Sequence, residues 1–261
     1  MDDAPTSESR YIPPVKSSAF QRVKRKILHS FVAAPRASAD FNRHWTSRID
    51  SIPGWLSRSE AQLLWELSSR VDRGCGIVEI GSYEGRSTVA LATGSRGAQV
   101  TAIDPHTGDI SQVEKGLSVD TWMRFQENVA RCGVAALVVA VRDTSVSAAA
   151  QYTGPPVQLL FIDGWHSTEA VEADITGWIG HLAPETSVVI DDWTSPQVAA
   201  GILKCQYLLP KMLGAIGKDL IFSNDPNVKD LATIRAAKRG ALLLSPLKLM
   251  QQIVSSESYG M

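Results

Sequence analysis

The chain has 261 residues, 44% of them hydrophobic and 20% charged, which suits one α/β domain with extensions and a full core. Its net charge of -1 excludes bulk steering toward nucleic acid or acidic lipid, and no apolar run approaches the roughly 20 residues of a membrane span. Cys75, Cys132 and Cys205 are odd in number and far apart, with neither a metal-type spacing nor a disulfide framework, so a reducing, cytoplasmic setting is expected.

Residues 1–40 read as an N-terminal arm, and residues 41–261 as one domain. The arm holds Pro13-Pro14, several serines and the basic residues Arg22, Lys24, Arg25 and Lys26. It reads as a solvated segment with one amphipathic helix, with a surface or membrane contact as the sharper alternative. Ile27 to Ala34 is apolar but short, and the chain opens on acidic residues, so no signal peptide is read.

From Ser57 the pattern becomes regular. Ser57 or Ser59 caps a helix reaching Arg70, and Gly76 to Ile80 is a short apolar strand. A helix over Arg86 to Thr93, a strand over Ala98 to Ile103 and a helix over Trp122 to Cys132 follow. Next come a strand over Leu137 to Val141, a helix over Ser145 to Tyr152 and a strand over Val157 to Ile162. A helix over Thr168 to Leu182 and a strand over Ser187 to Ile190 complete the alternation. Apolar strands alternating with helices predict a parallel sheet covered on both faces. The tail departs from this, with Asp219 to Phe222 and Leu231 to Ala236 reading as an antiparallel hairpin around Asn224-Asp225-Pro226-Asn227.

The first strand runs into Gly81-Ser82-Tyr83-Glu84-Gly85-Arg86-Ser87, a glycine turn entering a helix. Such a turn lets backbone approach a ligand and points a helix N-terminus at it. A dinucleotide fingerprint would carry three glycines, and Tyr83 stands where the middle one belongs, which disfavours a nicotinamide cofactor. Asp104 ends the second strand about 20 residues further on, where a carboxylate can accept both ribose hydroxyls of a nucleoside. Asp143 and Thr144 end the third strand, as adenine contacts or equally as helix caps. The expected cofactor contacts are therefore Glu79, Gly81, Ser82, Tyr83, Gly85, Ser87, Asp104, Asp143, Thr144 and Asp163.

The fourth strand ends in Asp163-Gly164-Trp165-His166 and the fifth in Asp191-Asp192-Trp193. Open α/β sheets bind ligands at these carboxyl ends, so Asp163, Asp191 and Asp192 converge there. Unpaired carboxylates raise one another's pKa, and a divalent cation removes the repulsion. Oxygen-only ligands favour Mg²⁺, with Mn²⁺ or Ca²⁺ as alternatives. Trp165, Trp193, Tyr83 and Trp122 are expected near the mouth, where flat rings suit sugar faces or serve as core. His106 is a lesser candidate for the same mouth, and His181 an ordinary helix-end residue.

The glycine loop resembles that of catechol O-methyltransferase, and Ile77 through Trp193 resembles bacterial O-methyltransferases of macrolide and aminocoumarin sugars. The resemblance implies a Rossmann-like class I sheet ending in a reversed hairpin, with S-adenosylmethionine as cofactor. It also implies a metal held by Asp163, Asp191 and Asp192. Catechol enzymes place a lysine base three residues past the first Asp; His166 stands there, as in the sugar enzymes. The implied activity is metal-dependent O-methylation of a sugar hydroxyl, with His166 and Asp163 as catalytic residues. A phenolic acceptor, or a binding module without catalysis, remains the alternative, and a homo-oligomer is left open. Asp120 to Phe125 resembles a lid-helix stretch of the same family.

Overall fold

The computed structural model describes residues 36–108, 119–243 and 245–258. The reading of an N-terminal arm falls almost wholly outside them. Seven strands form one sheet: β1 (Gly76–Ile80), β2 (Val100–Ile103), β3 (Val138–Val141), β4 (Val157–Ile162), β5 (Leu182–Ile190), β6 (Met212–Ile216) and β7 (Asp219–Ser223). Their order is β3-β2-β1-β4-β5-β7-β6. The first five are parallel, while β7 runs antiparallel to both β5 and β6.

The apolar runs of β1 and β4 are buried at every residue, because helices cover both sheet faces. Alternate side chains feed two cores. Ile77, Leu159, Phe161 and Val189 meet Leu63, Leu64, Val89 and Ile234 on one face. Val78, Leu160, Ile162 and Val188 meet Ile175, Trp178, Val198 and Met250 on the other. Each such aliphatic side chain contributes about 1.5–3 kcal/mol on burial. Phe41, in the helix Ala39–His44, is fully buried in the first core, so packing reaches back to the start of the expected domain.

The expected hairpin exists with different strands. Leu231 to Ala236 is not a strand, and Ala232–Leu243 is a helix carrying buried Ile234 and Ala237. The partner of β7 is β6, joined through the two-residue turn Gly217-Lys218. Gly217 has φ +57°, and a Cβ there would lie 2.3 Å from Glu60 Oε1, so the turn takes a glycine. The helix Pro196–Cys205, preceding β6, went unread in the sequence. The helix expected over 168–182 ends at Trp178, a 3-10 turn spans Ile179–His181, and β5 begins at Leu182, ahead of the Pro184 and Glu185 that break its apolar run.

Register carries the fold into the site. Ile103, Ile80, Ile162, Ile190 and Leu220 stand abreast across β2, β1, β4, β5 and β7. The ladder continues one step further, with Gly81 N–H donating to Ile103, Asp163 N–H to Ile80 and Asp191 N–H to Ile162. The next row is therefore Asp104, Gly81, Asp163, Asp191 and Asp219. Gly81 has φ +88°, and a Cβ there would lie 2.0 Å from the Asp163 carbonyl oxygen. Gly81→Ala should lower the unfolding free energy by about 3 kcal/mol or more, from combined backbone strain and overpacking. Denaturant unfolding checks this; a midpoint equal to that of the native protein would contradict the packing described.

Candidate active site

A cavity of about 740 Å³ opens at the carboxyl ends of β1, β2, β4 and β5, a size typical of ligand pockets. The sheet order reverses between β1 and β4, where open α/β sheets hold ligands. Gly81, Ser82, Tyr83, Ser87, Asp104, Asp143, Thr144 and Asp163, all expected cofactor contacts, line it.

The loop after β1 is held by Asp104, whose Oδ2 accepts from Tyr83 N–H at 2.8 Å and Oδ1 from His106 N–H at 2.6 Å. Tyr83 is thereby kept at φ +46°, an uncommon backbone for a non-glycine residue. Each carboxylate oxygen retains a further acceptor position for a ribose hydroxyl. The buried Ser82 hydroxyl has no hydrogen-bond partner among the described residues, as befits a group waiting for a ligand. Asp143 and Thr144 are also caps: Asp143 accepts from Thr144 N–H and the Ser147 hydroxyl, and Thr144 caps Ser145–Gln151.

Two of the expected contacts are corrected. Glu79 is fully buried beneath the loop, accepts from the Thr88 hydroxyl and does not reach the cavity; burial pushes its carboxyl up to about 7. Gly85 caps the helix Arg86–Gly94 against the Phe125 ring, away from the cavity. His106 is also misplaced by the sequence reading. It is buried, its Nδ1 lies 2.8 Å from the Thr121 hydroxyl, and it packs on Trp122 and Phe125. Trp122, half-buried in that cluster, does not line the cavity.

At the far end stand Asp163, Asp191, Asp192 and His166, all lining the cavity as expected. His166 Nε2 lies 3.6 Å from Asp163 Oδ1, and Nδ1 lies 3.4 Å from Asp192 Oδ2. Both contacts are longer than an ordinary hydrogen bond, so the ring can give one up to a ligand hydroxyl. The Asp163 carboxylate first, and Asp192 after it, hold the imidazole above its ordinary pKa against the opposing effect of burial. Burial and the adjacent Asp191 push the Asp163 carboxyl well above the carboxylate range. Asp219, fully buried beside them, is pushed up by the same two causes.

The sequence reading missed Lys218. Its Nζ lies 2.8 Å from Asp191 Oδ2 and 3.3 Å from Asp192 Oδ1. Burial alone would lower the pKa of this ammonium; Asp191 and Asp192 overcome that and hold it above the ordinary lysine value. The turn bearing it is fastened from two sides. Glu60 Oε1 accepts from Lys218 N–H at 2.8 Å while Oε2 accepts from Ser57 N–H at 2.7 Å, closing a helix capping box. Trp193, read as a mouth aromatic, is instead fully buried, its Nε1–H donating to the Gly217 carbonyl and its backbone N–H to that of Lys218, both at 3.4 Å.

Lys218 decides the metal question for this arrangement. The oxygens are of the type Mg²⁺ takes, but Asp191 Oδ2 and Asp192 Oδ1 face an ammonium, Asp192 Oδ2 and Asp163 Oδ1 face His166, and Asp191 Oδ1 is left buried without a hydrogen-bond partner among the described residues. Among the described residues no three His, Cys, Asp or Glu side chains are placed to hold one ion. The residues as arranged do not fit the expected cation.

The remaining wall comes from Pro53, Gly54, Trp55 and Leu56, also unread in the sequence. Arg86 ties this segment to the loop, donating to the Ile52 carbonyl at 2.9 Å and lying 5.0 Å over the Trp45 ring. Trp55, 73% exposed, stands 5.2 Å from the Tyr83 ring, and Trp165, 48% exposed, lies on the acid side. Asp174 completes that side from the helix Thr168–Trp178; burial pushes its carboxyl up to about 6.

Residues 78–193 match a family described as a methyltransferase domain. A solved protein of Corynebacterium glutamicum is 15% identical over 80% of this chain and 98% of its own, with a TM-score of 0.51. The O-methyltransferase NovP is 9% identical over 79% of this chain and 99% of its own, with a TM-score of 0.57. Both likenesses are at the level of the fold: the chain shares with these proteins a Rossmann-like sheet, here with an antiparallel β5, β7 and β6 region. No described helix is long and apolar enough to cross a membrane.

Asp104→Ala removes the acceptor of two loop amides and leaves them unpaired. At about 1–3 kcal/mol each, hydrogen exchange at Tyr83 and His106 should quicken roughly 5-fold or more. Unchanged exchange at both amides would show that Asp104 does not hold the loop.

Proposed function

We propose that this chain, whose residues 78–193 match a methyltransferase domain, is a class I methyltransferase that transfers the methyl group of S-adenosylmethionine to a sugar hydroxyl, with His166 as the base. The observation that carries the reading is the position of His166. It lies loosely between two carboxylates, at the acid end of a cavity whose opposite end is a nucleoside-type loop.

When bound, the cofactor supplies an electrophilic methyl on a sulfonium. The chain's own residues do the rest. Asp104 and Ser82 offer an acceptor and a free hydroxyl at the loop end. His166 takes the hydroxyl proton as the acceptor oxygen bonds the methyl carbon and the C–S pair stays on sulfur. Holding the acceptor in line is the larger task. Exposed Trp55 and Trp165, with Tyr83, offer flat faces for a sugar ring. No step of this reading passes through a divalent cation, because Lys218 already pairs with two of the three acids.

Calorimetry should give S-adenosylmethionine a micromolar affinity, roughly -8 kcal/mol. With labelled cofactor, glycosides should be methylated in preference to phenols; transfer to phenols alone would sink the sugar reading. His166→Ala should keep cofactor affinity and lose roughly 10²- to 10⁴-fold in turnover. Only the neutral imidazole accepts a proton. With its pKa raised by Asp163 and Asp192, native turnover should climb with pH through a midpoint above that of ordinary histidine. A native rate in His166→Ala would remove the base.

A further inference from the structure

The group that the motifs do not account for is Lys218. It comes from the β6–β7 turn, not from a strand end, and two hydrogen-bonding partners and a glycine fix that turn. Glu60 holds its amide, Trp193 holds its carbonyl, and Gly217 allows the bend. Its side chain then crosses to the acids, with Nζ at 2.8 Å from Asp191 and 3.3 Å from Asp192. Asp192 accepts this arrangement at φ +50°, an uncommon backbone for a non-glycine residue that its contacts with Lys218 and His166 must offset.

We infer that Lys218 is a built-in cation occupying the place of a divalent ion at Asp191 and Asp192, and that it donates its remaining N–H to the acceptor oxygen. The inference rests on the methyl-transfer reading for its second half only. The first half is geometric. An ion bound to the same two oxygens would sit about 2.1 Å from each, inside the space the ammonium fills, and would meet a positive charge at contact. Lysine and metal are mutually exclusive there.

The second half follows from donor number. An ammonium carries three N–H bonds. Asp191 takes one, Asp192 lies 3.3 Å from the ammonium as an ion-pair partner, and Lys218 lines the cavity with about a quarter of its side chain exposed, 26%. An N–H is left for a ligand oxygen beside His166. During transfer the acceptor O–H bond breaks with its proton passing to His166. A new C–O bond forms on the oxygen's lone pair, and the C–S pair leaves with sulfur. Lys218 keeps all three protons and serves as a fixed positive charge.

The test uses the full chain and Mn²⁺ alone as the probe, read by electron paramagnetic resonance, with S-adenosylmethionine calorimetry in parallel. The native protein should not bind Mn²⁺ at millimolar concentrations. Lys218→Met, which keeps length but not charge, should bind one ion at least about 10-fold more tightly, while Lys218→Arg should stay as refractory as the native chain. Adding Asp191→Asn to Lys218→Met should abolish the gained site. Native Mn²⁺ binding that Asp191→Asn removes would overturn the inference, as would equal absence of binding in native protein and a Lys218→Met variant that melts cooperatively. Failure of S-adenosylmethionine to bind the native protein would instead sink the methyl-transfer reading, leaving the cation result to stand or fall separately.

Discussion

Parallel strands ending level with one another bring their next residues to about 4.8 Å apart. In this sheet those residues are Asp163 and Asp191, with Asp219 beside them at the start of antiparallel β7 and Asp192 one step beyond. Ionised together they would repel strongly in a site partly shut from water. The structure relieves that repulsion in three ways. Asp219 is buried and pushed toward its neutral form, Asp163 shares His166, and Asp191 and Asp192 share Lys218. The third carries the most architecture. A buried tryptophan, a capping-box glutamate and a glycine turn all act on the two residues that deliver one ammonium.

The two ends of the cavity are built on different principles. The loop end uses backbone: Asp104 gathers two amides, Gly81 lets β1 press against β4, and Ser82 keeps an unused hydroxyl. The acid end uses side-chain charge, adjusted by neighbours a few ångströms away. Since both ends hang from the same register row, any slip in strand pairing would disturb loop and acids together.

How far these features could be read from the chain depends on how local their causes are. The five parallel strands announce themselves because burial on both faces demands continuous apolar runs such as Val157–Ile162. Asp104, Asp163, Asp191, Asp192 and His166 follow from their places at strand ends, and all line the cavity. Lys218 escapes because its role depends on the hairpin, and the apolar residues of 231–236 suggest a second hairpin strand where the chain forms a helix. Ala232–Leu243 has apolar residues that suit either period over a short window. The better signal was Gly217-Lys218 between the apolar runs Met212–Ile216 and Leu220–Phe222, a two-residue glycine turn. Glu79 and Trp193 were misjudged for a related reason. Sequence places a residue at a strand or its end, but which face it takes depends on pairing: Glu79 turns beneath the loop and Trp193 turns into the core.

In the proposed methyl transfer, a lysine in place of a divalent ion would change what the site must do to a hydroxyl. A bound cation ionises the hydroxyl before attack; an ammonium contributes a single charge and a directional hydrogen bond, and lowers acidity less. For methyl transfer that is sufficient. As oxygen begins to bond carbon its proton becomes strongly acidic, so the proton can leave late, during the displacement itself. A neutral imidazole close enough to receive it then serves even a weakly acidic alcohol, provided the oxygen is already in line with the methyl. The demand moves from ionisation to alignment. On that proposal, the exposed faces of Trp55 and Trp165, both lining the cavity, would help to meet it.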